Sequence, residues 1–198
     1  MEEAILYLLW CCRHRHCQGR YISLLISLGR DHEFEYTVIG DGHRRPPLEK
    51  LASSLGLADR VRFRGRVGEA ELLRAYAEAD LFVLTASILP GSHEGFGIVY
   101  LEAAASGLPS LAARQAGAAE AVEEGVSGMF VEQPDVECVG AALRRYLEQP
   151  SPFDEQACRQ FANRFRWRYI TEAVLPYYDL VLPGGARSSV RESRLETD

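Results

Sequence analysis

The sequence lacks any apolar run long enough to cross a lipid bilayer. The longest run near the start extends from Ile5 to Cys12, far short of the roughly 20 residues that a spanning helix needs. Glu2 and Glu3 precede it, whereas a secretory signal peptide begins with basic residues. The sequence therefore predicts neither a transmembrane segment nor a signal peptide.

The sequence also has fewer basic than acidic residues and no even set of cysteines. The 22 Lys and Arg residues are outnumbered by 28 Asp and Glu residues, and the net charge is −6. This balance argues against a general nucleic-acid or anionic-membrane surface. Lys50 is the single lysine, and the five cysteines are an odd number, which does not suggest a disulfide framework. We therefore expect a cytoplasmic protein in a reducing environment.

What remains is typical of a globular chain. It has 198 residues, of which 47% are hydrophobic and 25% are charged, enough for one sizeable core. We predict a single domain over residues 1–182. The polar, glycine-containing segment 183–198 is predicted to be a disordered tail.

Short apolar runs alternate with amphipathic stretches along the chain. Strands are predicted at 5–10, 34–40, 61–65, 80–85, 108–113 and within 128–135. Helices are predicted near 19–29, 47–55, 68–79, 117–124, 135–149, 153–165 and 168–181. This alternation predicts an α/β fold, a doubly wound Rossmann-like parallel sheet with helices on both faces.

One glycine-rich turn follows the fourth predicted strand, within the stretch HEGFGIVYLEAAASG at 93–107. Ligands of a doubly wound sheet bind beyond the carboxyl ends of the strands, where this turn is expected. Gly95 and Gly97 permit a tight turn and close approach of a ligand to the backbone. A helix that begins near Gly97 or Ile98 presents free N–H groups and the positive end of its dipole, which suits a phosphate.

Two glutamates flank the turn, Glu94 and Glu102. Carboxylates accept hydrogen bonds from vicinal hydroxyls, such as those of sugars and riboses. At helical spacing Glu102 shares a face with Ile98, Leu101 and Ala105, so we expect it to face inward. Taken alone, Glu94 also fits an exposed loop residue, and Glu102 fits a helix glutamate that reaches water or pairs with an arginine. Together with Gly-Phe-Gly and the preceding strand, they favour a binding site.

The segment EGFGIVYLEA resembles the E-x7-E motif of retaining glycosyltransferases of family four, which have the GT-B fold. The resemblance extends over 34–150, through VIGDGHRRPPLEKLASSLGLADRVRFRGRV before the motif and ASGLPSLAARQAGAAEAVEEGVSGMFVEQPD after it. In that family the C-terminal half binds a nucleotide-sugar donor and the N-terminal half holds the acceptor. The resemblance implies that this chain is the donor-binding half.

The resemblance also implies roles for single residues. Glu94 would contact the hydroxyls of the transferred sugar, and Glu102 would hold the ribose. The substrate would be a UDP- or GDP-linked sugar, with no cofactor. The remaining donor contacts are expected at Gly95, Phe96, Gly97, Ile98, Arg66 and Val67.

The sequence departs from the family pattern after the first predicted strand. The family usually carries Gly-Arg, four residues and then Lys-Gly, which aligns Arg13 with the arginine and Gln18 with the lysine. We take Arg13 and Gln18, with Glu94, as the candidate catalytic residues. Gln18 brings no charge to the diphosphate, and losing a charge-assisted contact costs about 1.5–3 kcal/mol, roughly ten- to a hundred-fold in rate.

A second departure concerns the acceptor lobe: we expect that it lies on another polypeptide, that this chain is a fragment, or that the chain no longer catalyses transfer. We expect a glycosyltransferase donor domain whose acceptor lobe is supplied elsewhere. The alternative is a catalytically inactive nucleotide-sugar-binding half-protein or partner subunit.

The stretch CCRHRHC at 11–17 also suggests metal ligands. Structural zinc sites, however, use spaced pairs with a second pair far along the chain. We predict no metal here and interpret the stretch as a divergent phosphate loop. His93 fits a sugar contact and an exposed loop residue equally.

Segment 152–182 is rich in aromatic residues. Large exposed apolar patches usually mark partner sites. We expect this segment to mediate contact with an acceptor-lobe protein or self-association. The alternative is that its helices bury their rings against their own sheet. The aromatic residues are Phe153, Phe161, Phe165, Trp167, Tyr169, Tyr177 and Tyr178.

Overall fold

The described residues form an α/β structure. The structure, a computed structural model, describes residues 6–11, 33–85, 96–115, 117–148 and 152–181. The strands are β1 (Leu6–Cys11), β2 (Phe34–Ile39), β3 (Val61–Gly65), β4 (Leu81–Leu84), β5 (Ser110–Ala113) and β6 (Gly128–Val131). The helices are α1 (Arg45–Ser54), α2 (Glu69–Glu78), α3 (Ile98–Ala105), α4 (Ala118–Ala121), α5 (Val136–Glu148), α6 (Glu155–Asn163) and α7 (Trp167–Val181). The chain divides into two compact units, residues 1–162 and 163–198.

All strand pairs of the sheet are parallel, in the order β3-β2-β1-β4-β5-β6. The chain first adds strands on one side of β1 and then, from β4 onward, on the other side. The order therefore reverses between β1 and β4, which is the switch point where doubly wound sheets bind ligands. The predicted doubly wound sheet is confirmed, and the predicted helix near 19–29 lies outside the described residues.

The central strands carry the core. Every residue of β4 and of β5 is buried, as expected for strands covered on both faces. Phe82 of β4 lies between two tyrosine rings. Its ring centroid is 5.9 Å from that of Tyr76 and 5.8 Å from that of Tyr100, both in edge-to-face geometry, which is a favourable arrangement of aromatic rings.

Aspartate side chains cap the starts of α5 and α6. The Oδ1 atom of Asp135 accepts a hydrogen bond from the Cys138 amide at 2.7 Å, just before α5. Asp154 does the same for the Ala157 amide at 2.7 Å, before α6. Such side-chain caps satisfy amides that a helix start leaves without partners.

The aromatic residues of segment 152–182 divide into two groups. Phe153 stacks on Tyr146 at 6.4 Å between centroids, and Phe161 is buried. On α7, which belongs to the second compact unit, Trp167 is 84% exposed and Tyr177 is 70% exposed. Phe161 is therefore buried as the alternative predicts and Phe153 packs on Tyr146, whereas Trp167 and Tyr177 are exposed side chains. Among the described helices, none has the length and apolar character needed to cross a membrane.

Candidate functional site

The candidate site lies at the carboxyl edge of the sheet. Strand β4 ends there at Leu84, and α3 begins at Ile98. Gly97 stands directly before α3 with φ 78° and ψ 48°, the left-handed conformation. Only glycine enters this region without a steric cost, which explains the second glycine of the Gly-Phe-Gly turn.

Tyr100 fixes where the helix starts. Its side chain is 1% exposed, and its hydroxyl donates a hydrogen bond to the carbonyl oxygen of Leu84 at 2.5 Å. The same ring covers Gly97, because a Cβ added there would lie 2.6 Å from the ring atom Cδ2. The first turn of α3 is thus held against the end of β4.

The first turn of α3 suits an anion. It carries no acidic residue, so the positive end of the helix dipole is not offset locally. The Tyr100 amide is bonded to the Gly97 carbonyl at 2.9 Å. The other amides of a first turn are the groups that a helix start offers to a ligand.

Glu102 lies on the exposed side of α3. Ile98 is 65% exposed, and Ala105 is exposed as well. The buried residues of the helix are Tyr100, Ala103 and Ala104. The prediction that Glu102 faces inward on a buried apolar face is wrong, because α3 is apolar on almost all sides and packs through a different stripe.

The Glu102 carboxylate has a tyrosine partner. The hydroxyl of Tyr76 on α2 donates a hydrogen bond to Oε2 of Glu102 at 3.1 Å. Tyr76 is 3% exposed. The sequence did not point to this residue, since the two positions are 26 residues apart and no local period links them. The arginine partner that was the alternative for Glu102 is not seen among the described residues.

Arg66 and Val67 lie at the same edge but on another part of the sheet. They follow β3, which ends at Gly65 with φ 70°. Arg66 is exposed, and Val67 packs partly against the core. Because β2 and β1 separate β3 from β4, these residues and α3 lie on opposite sides of the switch point.

Several predicted site residues fall outside the part of the chain that the structure describes. They are Arg13, Gln18, His93, Glu94 and Gly95. Their roles stay predictions. Phe96 is described and packs partly against the core.

No group of three His, Cys, Asp or Glu side chains that could hold a metal occurs within the described residues. The CCRHRHC stretch lies beyond them, except for Cys11 at the end of β1. Of the described cysteines, Cys158 is buried and its thiol donates a hydrogen bond to the Val126 carbonyl at 3.3 Å. Burial raises the pKa of this thiol, and the nearby Asp154 raises it further.

These features define a Rossmann-like α/β domain. Its carboxyl edge offers a glycine-led helix start and, on the same helix, an exposed carboxylate held by a buried tyrosine.

Residues 20–166 match the family Glycosyl transferases group 1, and the chain belongs to this family. A D-inositol 3-phosphate glycosyltransferase of Saccharomonospora viridis is 37% identical over 142 residues, which are 70% of this chain and 32% of that protein. A GDP-mannose-dependent alpha-(1-6)-phosphatidylinositol monomannoside mannosyltransferase of Mycolicibacterium smegmatis is 36% identical over 115 residues, 57% of this chain and 30% of that protein.

Solved structures agree on the fold. Anabaena Alr3699/HepE in complex with UDP superposes with a TM-score of 0.72 at 23% identity, covering 89% of this chain and 49% of that chain. The chain also spans about a third of the curated relatives it matches (32% and 33% of the first two). The resemblance to glycosyltransferases of the GT-B fold is therefore confirmed, and the chain corresponds to one Rossmann-like half.

Proposed function

We propose that this chain is the donor-binding domain of a retaining glycosyltransferase. It binds a nucleotide-diphosphate sugar, UDP- or GDP-linked, and transfers the glycosyl group together with an acceptor lobe. The observation that carries the proposal is the left-handed Gly97 at the start of α3, at the switch point of the sheet, with the exposed Glu102 on the same helix. The relatives named for GDP-mannose and solved with UDP support these two bases.

Each group has a chemical task in this proposal. The start of α3 faces the diphosphate, and Glu102 accepts hydrogen bonds from the ribose hydroxyls. Glu94 contacts the transferred sugar, while Arg13 and Gln18 face the diphosphate leaving group. The diphosphate departs from the face that the acceptor attacks. The protein contributes positioning of the reactants and electrostatic stabilisation of this leaving group. We predict that no cofactor is required and that the protein is cytoplasmic.

The second candidate function is nucleotide-sugar binding without catalysis. Gln18 favours it, because an amide brings no charge to the leaving group. Incubation of the chain with UDP- and GDP-sugars distinguishes the transferase from the binding protein. Release of the nucleoside diphosphate in the presence of an acceptor lobe supports the enzyme, and binding without release under the same conditions supports the binding protein.

The proposal also includes a protein partner. The exposed rings of α7, Trp167 and Tyr177 among them, favour contact with an acceptor-lobe protein or self-association through 152–182. Sedimentation of the purified chain tests this. A monomer that binds no hydrophobic dye and co-purifies with no partner contradicts it.

Calorimetry with UDP, GDP and ADP at millimolar concentration tests donor binding. We expect UDP or GDP to bind more tightly than ADP. Glu102→Ala should weaken that binding about ten-fold or more, the value of a hydrogen bond to a charged group. The variant should stay folded with a small loss of stability, since alanine is the better helix former but the buried Tyr76 hydroxyl loses its acceptor on Glu102.

Glu148→Ala is the matched control, because Glu148 is an exposed glutamate at the end of another helix, α5. It should bind like the wild type. The absence of heat and of thermal shift with every nucleotide contradicts the proposed function. Unfolding of Glu102→Ala would instead show that Glu102 is a structural residue.

A further inference from the structure

Tyr76 has no assigned role, and its contact with Glu102 suggests one. We propose that Tyr76 is a positioning residue that orients the Glu102 carboxylate toward the ribose hydroxyls and thereby sets the preference for ribose over deoxyribose. The inference rests on the proposed function, since it presumes that Glu102 meets a ribose.

The tyrosine is the fixed partner of the pair. Its side chain is 3% exposed, and its ring packs edge-to-face on Phe82, which is 0% exposed. Phe82 in turn contacts Tyr100, the residue that holds the start of α3. A single aromatic cluster therefore anchors the start of the helix and, through the Tyr76 hydroxyl, the carboxylate one turn further along.

Glu102 is the exposed partner of the pair. An exposed glutamate samples many rotamers, and ordering it when a ligand binds costs side-chain entropy. The hydrogen bond from Tyr76 to Oε2, 3.1 Å long, restricts that freedom before any ligand arrives. Pre-ordering of this kind increases affinity, because less freedom is lost on binding.

The contact leaves acceptor capacity for a ligand. An ionised carboxylate has about four acceptor sites on its two oxygens, and Tyr76 occupies one of them. Among the described residues Tyr76 is the one side chain bonded to this carboxylate, so within that part of the chain Oε1 can accept from the 2′- and 3′-hydroxyls of a ribose. A ligand without the 2′-hydroxyl loses part of this contact. The ratio of the affinities for the ribonucleotide and the deoxynucleotide therefore reports on the orientation of the Glu102 carboxylate.

The test compares Tyr76→Phe with the wild-type chain. The substitution keeps the ring and removes only the hydroxyl. The probes are UDP and GDP with their 2′-deoxy counterparts, and the readout is the ratio of the two dissociation constants for one base. We expect Tyr76→Phe to reduce the ribose preference by about 3- to 10-fold, as the loss of one net hydrogen bond implies, with a smaller loss of affinity for the deoxynucleotide, which keeps only the 3′-hydroxyl.

Tyr146→Phe is the matched control. The Tyr146 hydroxyl donates a hydrogen bond to the Asp80 carbonyl at 2.7 Å, directly before β4 and thus at the opposite edge of the sheet. Removing it should leave the ribose preference unchanged. The double variant Tyr76→Phe/Glu102→Ala should show the same preference as Glu102→Ala alone, because Tyr76 acts through Glu102.

Three results would overturn the inference. One is an unchanged ribose preference in Tyr76→Phe. Another is equal weakening for the ribo- and deoxynucleotides, which assigns Tyr76 a purely structural role. The third is a wild-type chain that binds none of the four probes, which removes the proposed function itself and is recognised before any variant is made.

Discussion

Gly97→Ala tests whether the turn before α3 is as constrained as its geometry indicates. Two costs add in this variant. Placing alanine at φ 78° costs about 1–2 kcal/mol, the penalty for a left-handed L-residue. The new Cβ would also lie 2.6 Å from Cδ2 and 2.8 Å from Cε2 of Tyr100.

The Tyr100 ring has little room to give way. It is 1% exposed, packs against Phe82 and is tied through its hydroxyl to Leu84. Overpacking of this kind costs about 1–3 kcal/mol. The expected loss for Gly97→Ala is therefore about 2–5 kcal/mol, against a total stability of about 5–15 kcal/mol for a native domain.

Gly56→Ala is the matched control for the clash. Gly56 has φ 71°, and an added Cβ there would meet nothing within 4 Å. Gly56→Ala should show only the cost of the left-handed conformation. Both substitutions also lower the entropy of the unfolded chain, and this stabilising effect is the same in the two variants. The difference between the two variants isolates the contact with Tyr100.

Thermal melts of the two variants, followed by circular dichroism, measure that difference. Each 1 kcal/mol shifts the Tm of a chain this size by about 2–4 °C, so Gly97→Ala should melt at least about 2 °C below Gly56→Ala. Equal melting temperatures would refute the reasoning, because they would show that the Tyr100 ring moves aside without cost.

The remaining predictions concern a pair of buried serines and the phosphate loop. Ser110 and Ser127 are each 1% exposed, but the Ser110 hydroxyl has no hydrogen-bond partner among the described residues, whereas that of Ser127 accepts from the Glu123 amide at 2.9 Å. In urea titrations Ser110→Ala should be neutral or stabilising by about 1 kcal/mol, and Ser127→Ala should cost about 1–3 kcal/mol; equal losses would contradict the assignment. Gln18→Lys should tighten diphosphate binding in calorimetry at low salt, and the gain should shrink as salt screens the added charge. Unchanged affinity at low salt would show that another residue already fills that position.

The strands were predictable because their chemistry is local. Strand β4 is a short apolar run between polar residues, and its observed bounds, Leu81–Leu84, fall within the predicted 80–85. Helix α1 was placed two residues late. It begins at Arg45 with Pro46 and Pro47 in its first turn, where the missing N–H of proline costs nothing.

The orientation of α3 was not predictable in the same way. A helix with sequence IVYLEAAA shows apolar residues on almost every side, so periodicity does not identify the packed stripe. Tyr100 sets which stripe of α3 is packed, because its hydroxyl donates a hydrogen bond to the Leu84 carbonyl at the end of β4. The partner of Glu102 depends on a contact between two helices that the sheet brings together, and no local pattern contains that information.

The strand order also has a consequence for how the sheet opens. Strand β1 pairs with β2 from Leu6 opposite Phe34 to Cys11 opposite Ile39. With β4 it pairs only at Leu8 opposite Leu81 and Leu9 opposite Phe82. The seam between the two halves of the sheet is therefore its shortest internal junction, and partial opening in native proteins follows such boundaries between cooperative units.

Hydrogen exchange should accordingly report two cooperative blocks, β3-β2-β1 and β4-β5-β6, that separate below the energy of global unfolding. Each block forms from contacts closer in sequence than the seam, which joins residues 8–9 to residues 81–82, so the seam should also be the late step of folding. A ligand seated at the switch point would touch both blocks. Its binding would then slow exchange across the whole sheet, far from any atom that it contacts.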